Sequence, residues 1–174
     1  IDKLNFQTSY FVVGRIKKAE VFETLPFKAS YKRLASELYE VPFNVSMLNQ
    51  KEFKISYENQ GELVEIVHEF NEELINEDFN LILRSRYSFT PENIAKLKDS
   101  QYELVFHSDQ YLINKYKNSL NIENIEHTSV LELTIQDELE PRAKVYLDTL
   151  AQTYVEYSKR IQLEVNENTT ANIQ

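Results

Sequence analysis

Three histidines, His68, His107 and His127, are the side chains in this sequence best suited to proton or metal chemistry. None has a second histidine three or four positions away, so no paired ligand set can form on one helix face. His68 is followed by Glu69 inside an acid-rich run, where it is a possible arm of a metal site. A half-buried or surface imidazole beside solvated carboxylates is the simpler reading of so weak a signal. His107-Ser108-Asp109 collects the residue types of a hydrolytic triad. A triad is defined by geometry rather than adjacency, and a helix cap explains Ser108 or Asp109 better. Residues 58–78 hold eight carboxylates and no Lys or Arg. A hard cation such as calcium wants oxygen ligands, but the Asp-rich, Gly-centred loop of common calcium sites is missing, which leaves a solvated acidic face. No catalytic, cofactor-binding or metal-ligating residue emerges from these patterns.

Composition narrows the classes further. The chain has no cysteine, which excludes disulfides, zinc–thiolate sites and thiol catalysis. Its two glycines, Gly14 and Gly61, cannot build a phosphate loop or a dinucleotide fingerprint, both of which need clustered glycines. A net charge of -9 repels phosphate backbones and argues against nucleic acid as a partner. No run of roughly 18 apolar residues is present to span a bilayer. The start at Ile1 and a helical pattern running to Gln174 read as a piece of a longer protein.

Charge is unevenly placed. Arg15, Lys17, Lys18 and Lys28, with Lys32 and Arg33, make the early part basic, whereas Glu69, Glu72 and Glu73 belong to the acidic run. Lysines on the outward positions of edge strands would account for the first group. A more pointed expectation is that the two faces meet between copies of the chain, head to tail, in a ring.

These residues need elements to hold them. Alternation predicts strands around Phe6–Val12, 15–22, 27–31, 41–47, 53–57, 79–83 and 102–106, with a hairpin between 41–47 and 53–57. One helical turn fits 34–40. Residues 62–70 fit a strand or a short helix, and Asn71 tolerates the left-handed turn of a hairpin through Asn71-Glu72. Thr90-Pro91-Glu92-Asn93 is a helix start, with Thr as cap and Pro in the first turn. Ser108 or Asp109 opens a second helix that carries Tyr111, Leu112, Lys115 and Tyr116. Leu131, Leu133 and Ile135 alternate with polar residues, which predicts a strand with one face on a core. From Pro141 no Gly or Pro interrupts the chain. Ala143, Leu147, Leu150, Ala151, Tyr154, Ser158, Ile161 and Val165 recur at helical spacing. A helix of roughly 34 residues, about 50 Å long, should project beyond the sheet. The tyrosines Tyr146, Tyr154 and Tyr157 are expected to pack in a core or between copies. No composition shift marks an internal boundary, so residues 1–174 read as one α+β domain: a mostly antiparallel sheet, helices on one face, and the long helix last.

Three blocks, in this order, resemble the chain-length-determinant family of polysaccharide co-polymerases, closest to the branch joined to a tyrosine autokinase (Wzz/Wzc-like). The first is Gly14-Arg15-Ile16-Lys17-Lys18-Ala19-Glu20-Val21-Phe22 with Pro26-Phe27-Lys28, and the second is Val41-Pro42-Phe43-Asn44-Val45 with Phe53-Lys54-Ile55. The third runs from Leu112–Tyr116 through Leu120, Ile125 and 129–135 to Pro141, Ala143, Tyr146-Leu147, Leu150 and Tyr154. The chain departs from the family in having Glu140-Pro141 where Asn-Pro is common, and Asn71 where a Gly is common. The resemblance implies a non-catalytic domain on the periplasmic side of the bacterial inner membrane, held there by flanking transmembrane helices outside this chain. It implies self-assembly into rings, and partners in the polymerase and export machinery that set polymer length. A free-standing carbohydrate-binding module, with an exposed row of aromatics, is the competing reading. An enzyme built on scattered carboxylates is a third.

Overall fold

The computed structural model describes residues 4–171, with side chains described through residue 164. Val165, expected on the last helix's apolar stripe, lies outside the described side chains. The fold is α+β, and every strand pair is antiparallel. The chain divides into two compact units, Asn5–Asn114 and the part from Lys115 onward. The division falls inside a helix, where composition does not change.

The first unit contains two sheets. The larger has six strands in the order β2-β1-β9-β4-β5-β6. They are β1 (Thr8–Val13), β2 (Lys18–Val21), β4 (Pro42–Met47), β5 (Glu52–Asn59), β6 (Glu62–Glu69) and β9 (Gln101–Phe106). The smaller has the order β3-β8-β7, with β3 (Phe27–Leu34), β7 (Glu73–Ile75) and β8 (Phe79–Ser85). Alternation decides which side chains turn inward. In β5, Phe53, Ile55 and Tyr57 are buried while the intervening residues are not. In β8, Phe79, Leu81 and Leu83 are the buried set. The two inward faces share one core rich in aromatic edges: Phe43 lies 5.9 Å from Phe79 and 5.2 Å from Phe106, and Phe27 lies 5.4 Å from Tyr102. Offset and edge-on rings of this kind add about 0.5–1.5 kcal/mol per pair beyond the area they bury.

Residues 62–70, readable as strand or helix, form β6, because each residue from Glu62 to Glu69 pairs with β5. Asn71 does take a left-handed conformation, φ 69°. The hairpin expected through Asn71-Glu72 does not form: β6 pairs with β5 in the large sheet and β7 with β8 in the small one. The left-handed residue turns the chain from one sheet to the other. The Asn71 side chain bonds the Ser85 amide and hydroxyl. Helix α1 (Pro91–Leu97) starts as read, with a full capping box in which Asn93, not an acid, answers Thr90.

Helix α2 (Asp109–Ser119) leads from the first unit into the second. There, β10 (Leu120–Asn124) and β11 (Leu131–Ile135) form a two-stranded ribbon, followed by α3 (Glu140–Ala171), a single helix of 32 residues. The strand expected to rest one face on a core is therefore half of a ribbon, and Leu131 is 51% exposed. The apolar residues of α3 are half-buried at Ala143, Tyr146, Leu147 and Leu150, then exposed at Tyr154, Val155, Tyr157 and Ile161. Of the three tyrosines expected to pack in a core or between copies, Tyr146 is half-buried, while Tyr154 and Tyr157 are exposed.

Candidate functional site

The polar groups that the fold buries are the starting point. His107 follows β9 and is 7% exposed. Its Nδ1 faces the Glu40 carboxylate, and its Nε2 lies 2.9 Å from Ser9 Oγ. Acid, imidazole and hydroxyl thus stand in the order of a hydrolytic triad, but with Ser9 and Glu40 in place of the neighbouring Ser108 and Asp109. The serine hydroxyl donates to Glu20 Oε1 at 2.7 Å. A hydroxyl has one hydrogen, and Ser9 spends it on Glu20, so the hydroxyl is not poised to pass its proton to Nε2 for attack. Ser9 is itself 7% exposed on β1.

The chain of bonds is suited to holding elements together. Glu40 has φ 64°, a left-handed conformation that costs a non-glycine residue about 1–2 kcal/mol. Its amide donates to the Phe106 carbonyl, and its carboxylate accepts the Ser108 amide at 3.0 Å as well as meeting His107. Ser108 Oγ in turn accepts the Tyr111 amide, and the Tyr111 ring stacks on His107 at 4.6 Å. Ser108 is therefore the helix cap expected of it, with Glu40 adding negative charge at the positive end of α2.

Beside Glu40 runs a groove of about 640 Å³. Glu37, Glu40 and Glu58 line it together with the apolar Val41, Pro42 and Leu63. Tyr57 also borders it, and its hydroxyl donates to Asp78 Oδ2 at 2.6 Å. Burial, with the Asp78 carboxylate as the next cause, pushes the Tyr57 hydroxyl up to about 12.

The second unit has its own buried pair. Asp137, in the turn before α3, accepts Arg142 Nη2 at 2.7 Å, Arg142 Nε at 2.8 Å and the Leu139 amide at 2.9 Å. The side chains are 1% and 5% exposed. Burial alone would raise the Asp137 carboxyl; the Arg142 guanidinium and the Leu139 amide outweigh it and hold the group below its ordinary value. The pair anchors a helix whose cap position falls on Leu139, a residue with no side-chain acceptor, Glu140 being the first helical residue. Tyr146 stacks on Tyr116, rings 4.5 Å apart and 13° from parallel.

The charged residues singled out from the sequence are divided between the two sheets. Arg15 and Lys17 are exposed at the β1–β2 turn. Lys18, on edge strand β2, pairs with Glu103 and lies 4.3 Å over the Phe11 ring. Lys28 is on β3, in the other sheet. The acidic run is divided in the same way: Glu69 ends β6, Glu72 is exposed in the turn, and Glu73 on β7 pairs with Lys32. That contact, with the Lys32 hydrogen bond as its main cause, lowers the Glu73 carboxyl. The physical reason for both splits is the passage of the chain between two sheets at residues 22–27 and 70–73.

His68 is half-buried, edge-on to Phe53, and its Nε2 is buried without a hydrogen-bond partner among the described residues. His127 is exposed, with φ 62°. No group of three metal-ligating side chains occurs among the described residues, nor is any described helix long and apolar enough to cross a membrane. The chain matches no family model and no curated protein.

Sequence reasoning missed both buried networks. Ser9, Glu40 and His107 are 67 and 98 positions apart, and no local pattern announces such a meeting. Asp137 and Arg142 are five apart, on either side of Pro141, and an acid–base pair bracketing a helix start was the available signal.

Proposed function

We propose that this chain is an assembly domain of a polysaccharide co-polymerase, acting outside the bacterial inner membrane. There it controls polymer length in contact with other copies and with the polymerase and export machinery. The observation that carries the reading is α3: the third and longest block of family resemblance ends on one unbroken helix of 32 residues. Beyond its first three turns Tyr154, Val155 and Tyr157 are at least half exposed, a surface suited to packing against a neighbour. The chain's own residues supply scaffolding; the buried histidine is committed to bonds between strands rather than to a substrate.

The test is made in cells that produce the polymer, with Tyr154→Ser and Tyr157→Ser introduced together in the intact gene. The polymer, sized by gel electrophoresis, is expected to lose its preferred length while the protein accumulates normally. An unchanged size distribution overturns the reading.

One observation favours the competing module. Tyr154 and Tyr157, three residues apart and 60% and 53% exposed, offer aromatic surface to a sugar ring, although Arg160 lies 5.5 Å over the Tyr157 ring. Calorimetric titration with oligosaccharide separates the two: saturable binding by the isolated chain, abolished by the same substitutions, favours the module.

A further inference from the structure

The β1–β2 turn presents an uncommon surface. Ile16 is 101% exposed, flanked by Arg15 and Lys17. Neither cation has a carboxylate partner among the described residues. The turn is closed by the Gly14 amide donating to the Lys17 carbonyl at 3.0 Å. A β-carbon on Gly14 would meet that same oxygen at 3.0 Å, so glycine is what lets the turn close so tightly. An apolar side chain is thus held out on the turn between two cations with no carboxylate partner among the described residues.

The groove beside Glu40 has the opposite character. Val41, Pro42 and Leu63 give it apolar walls, and Leu63 is 69% exposed. Glu37 and Glu58 are exposed on it with no cationic partner among the described residues. The strand register fixes where tip and groove lie in the sheet. Val13, beside the tip, pairs with Gln101, which also pairs with Ser46. Pro42 and the Asn59–Glu62 pair, beside the groove, are at the other end of their strands. The tip adjoins edge strand β2 and the groove adjoins edge strand β6. They occupy diagonally opposite corners of one sheet, so the tip cannot reach its own chain's groove.

We propose that the groove is the docking site for the Arg15-Ile16-Lys17 tip of a second copy. Ile16 fills the apolar walls, Arg15 and Lys17 pair with Glu37 and Glu58, and Glu40 stays with His107. A side chain that fills a pocket on its partner can carry much of an interface's energy, and opposed charges fix the register. The contact is heterologous: every copy offers a tip and a groove, so the chain of contacts closes into a ring or continues as a filament. The inference rests on the reading of an assembling domain and names the surface that assembles.

Sedimentation velocity over a concentration series tests it. The chain is expected to associate reversibly, with Ile16→Ser weakening association about tenfold or more. The tip variant Arg15→Glu/Lys17→Glu and the groove variant Glu37→Lys/Glu58→Lys are each expected to be monomeric. Mixed together they should associate again, since each then meets a complementary surface on the other. That recovery separates a lost contact from a lost fold. Because the chain has no cysteine, Ile16→Cys/Leu63→Cys should give an intermolecular disulfide ladder, and Ile16→Cys/Ile75→Cys should not. A chain that stays monomeric at millimolar concentration overturns the proposal, as does association that none of these substitutions alters. The latter result retires this contact and leaves the assembling domain standing, which the polymer-length assay addresses separately.

Discussion

The two units treat their apolar residues in opposite ways. Between Asn5 and Asn114 they find one another: every member of the core cluster lies there, with Phe27, Phe43, Phe79, Phe106 and Leu104 fully buried. From Lys115 onward, Ile122, Val130, Leu131, Tyr154 and Leu163 are each more than half exposed. The periodicity that predicts structure is present in both. Alternation made β11 a strand just as it made β5 one, and helical spacing made α3 a helix. Period therefore sets backbone conformation, whereas cover sets how much stability the period yields. A two-stranded ribbon is marginal by itself, and much of a helix's stability in a protein comes from packing. The second unit consequently depends on a few local contacts, Asp137 with Arg142 and Tyr116 with Tyr146.

Substitutions can break or sharpen that contrast. The largest effect is expected from Phe43→Ala, which removes a ring in contact with Tyr57, Phe79 and Phe106. It should cost about 3–5 kcal/mol in denaturant unfolding; a small loss would mean the sandwich core is loosely packed. Next is Arg142→Met, which leaves the Asp137 carboxylate buried and unpaired. A loss of about 3 kcal/mol is expected, read as faster hydrogen exchange in the first turns of α3. The sign with pH follows from the lowered Asp137 carboxyl. Its stabilisation is fully present above the ordinary Asp value of about 3.9 and is lost as pH falls through the lower folded value. Acid should therefore loosen the start of α3 in the native chain, whereas in Arg142→Met, where Arg142 no longer outweighs burial, the dependence should reverse and acid should restore stability by protonating the carboxyl.

Glu40 supports a finer comparison. Glu40→Ala loses the acceptor of the Ser108 amide and the partner of His107, at about 1–2 kcal/mol. Glu40→Gly loses the same bonds but suits φ 64°, so it should be about 1 kcal/mol the milder. Equal losses would mean that the backbone there is not strained. The smallest effect is expected at the exposed tyrosines. Tyr154→Ser or Tyr157→Ser should move the unfolding of the isolated chain by no more than about 0.5 kcal/mol, and a larger loss would mean that these rings have cover.

Local signals read well and long-range ones did not. The α1 start at Thr90-Pro91, the β4–β5 hairpin and the described course of α3 were visible, because each is specified by residues within a few positions. The second sheet was not visible. Nothing within 70–73 distinguishes a chain folding back on β6 from a chain crossing to another sheet, and Asn71 serves either course. The strand β10 was also missed, since Leu120 and Ile122 give too short an alternation to separate from a loop. Charged residues were legible as edge-strand positions but not as faces: Lys32 with Glu73 and Lys18 with Glu103 are joined only by the pairing of distant strands. The triad residue types at 107–109 gave no sign of how His107 is bonded: its partners came from β1 and from Glu40, which no spacing links to it.

The place of β9 has a consequence for how the protein is made. It is the last strand of the sandwich to be synthesised, and it lies between β1 and β4 in the middle of the large sheet. Until it is synthesised, β1–β2 and β4–β5–β6 are separate fragments, each with an apolar inner face and an unpaired inward edge. Thr8 must then find Phe106 across almost the whole unit. Pairings so distant in sequence form slowly and leave open edges exposed meanwhile. A nascent chain halted before residue 101 should thus be a client for chaperones, and completion of the sheet a late, nearly all-at-once event.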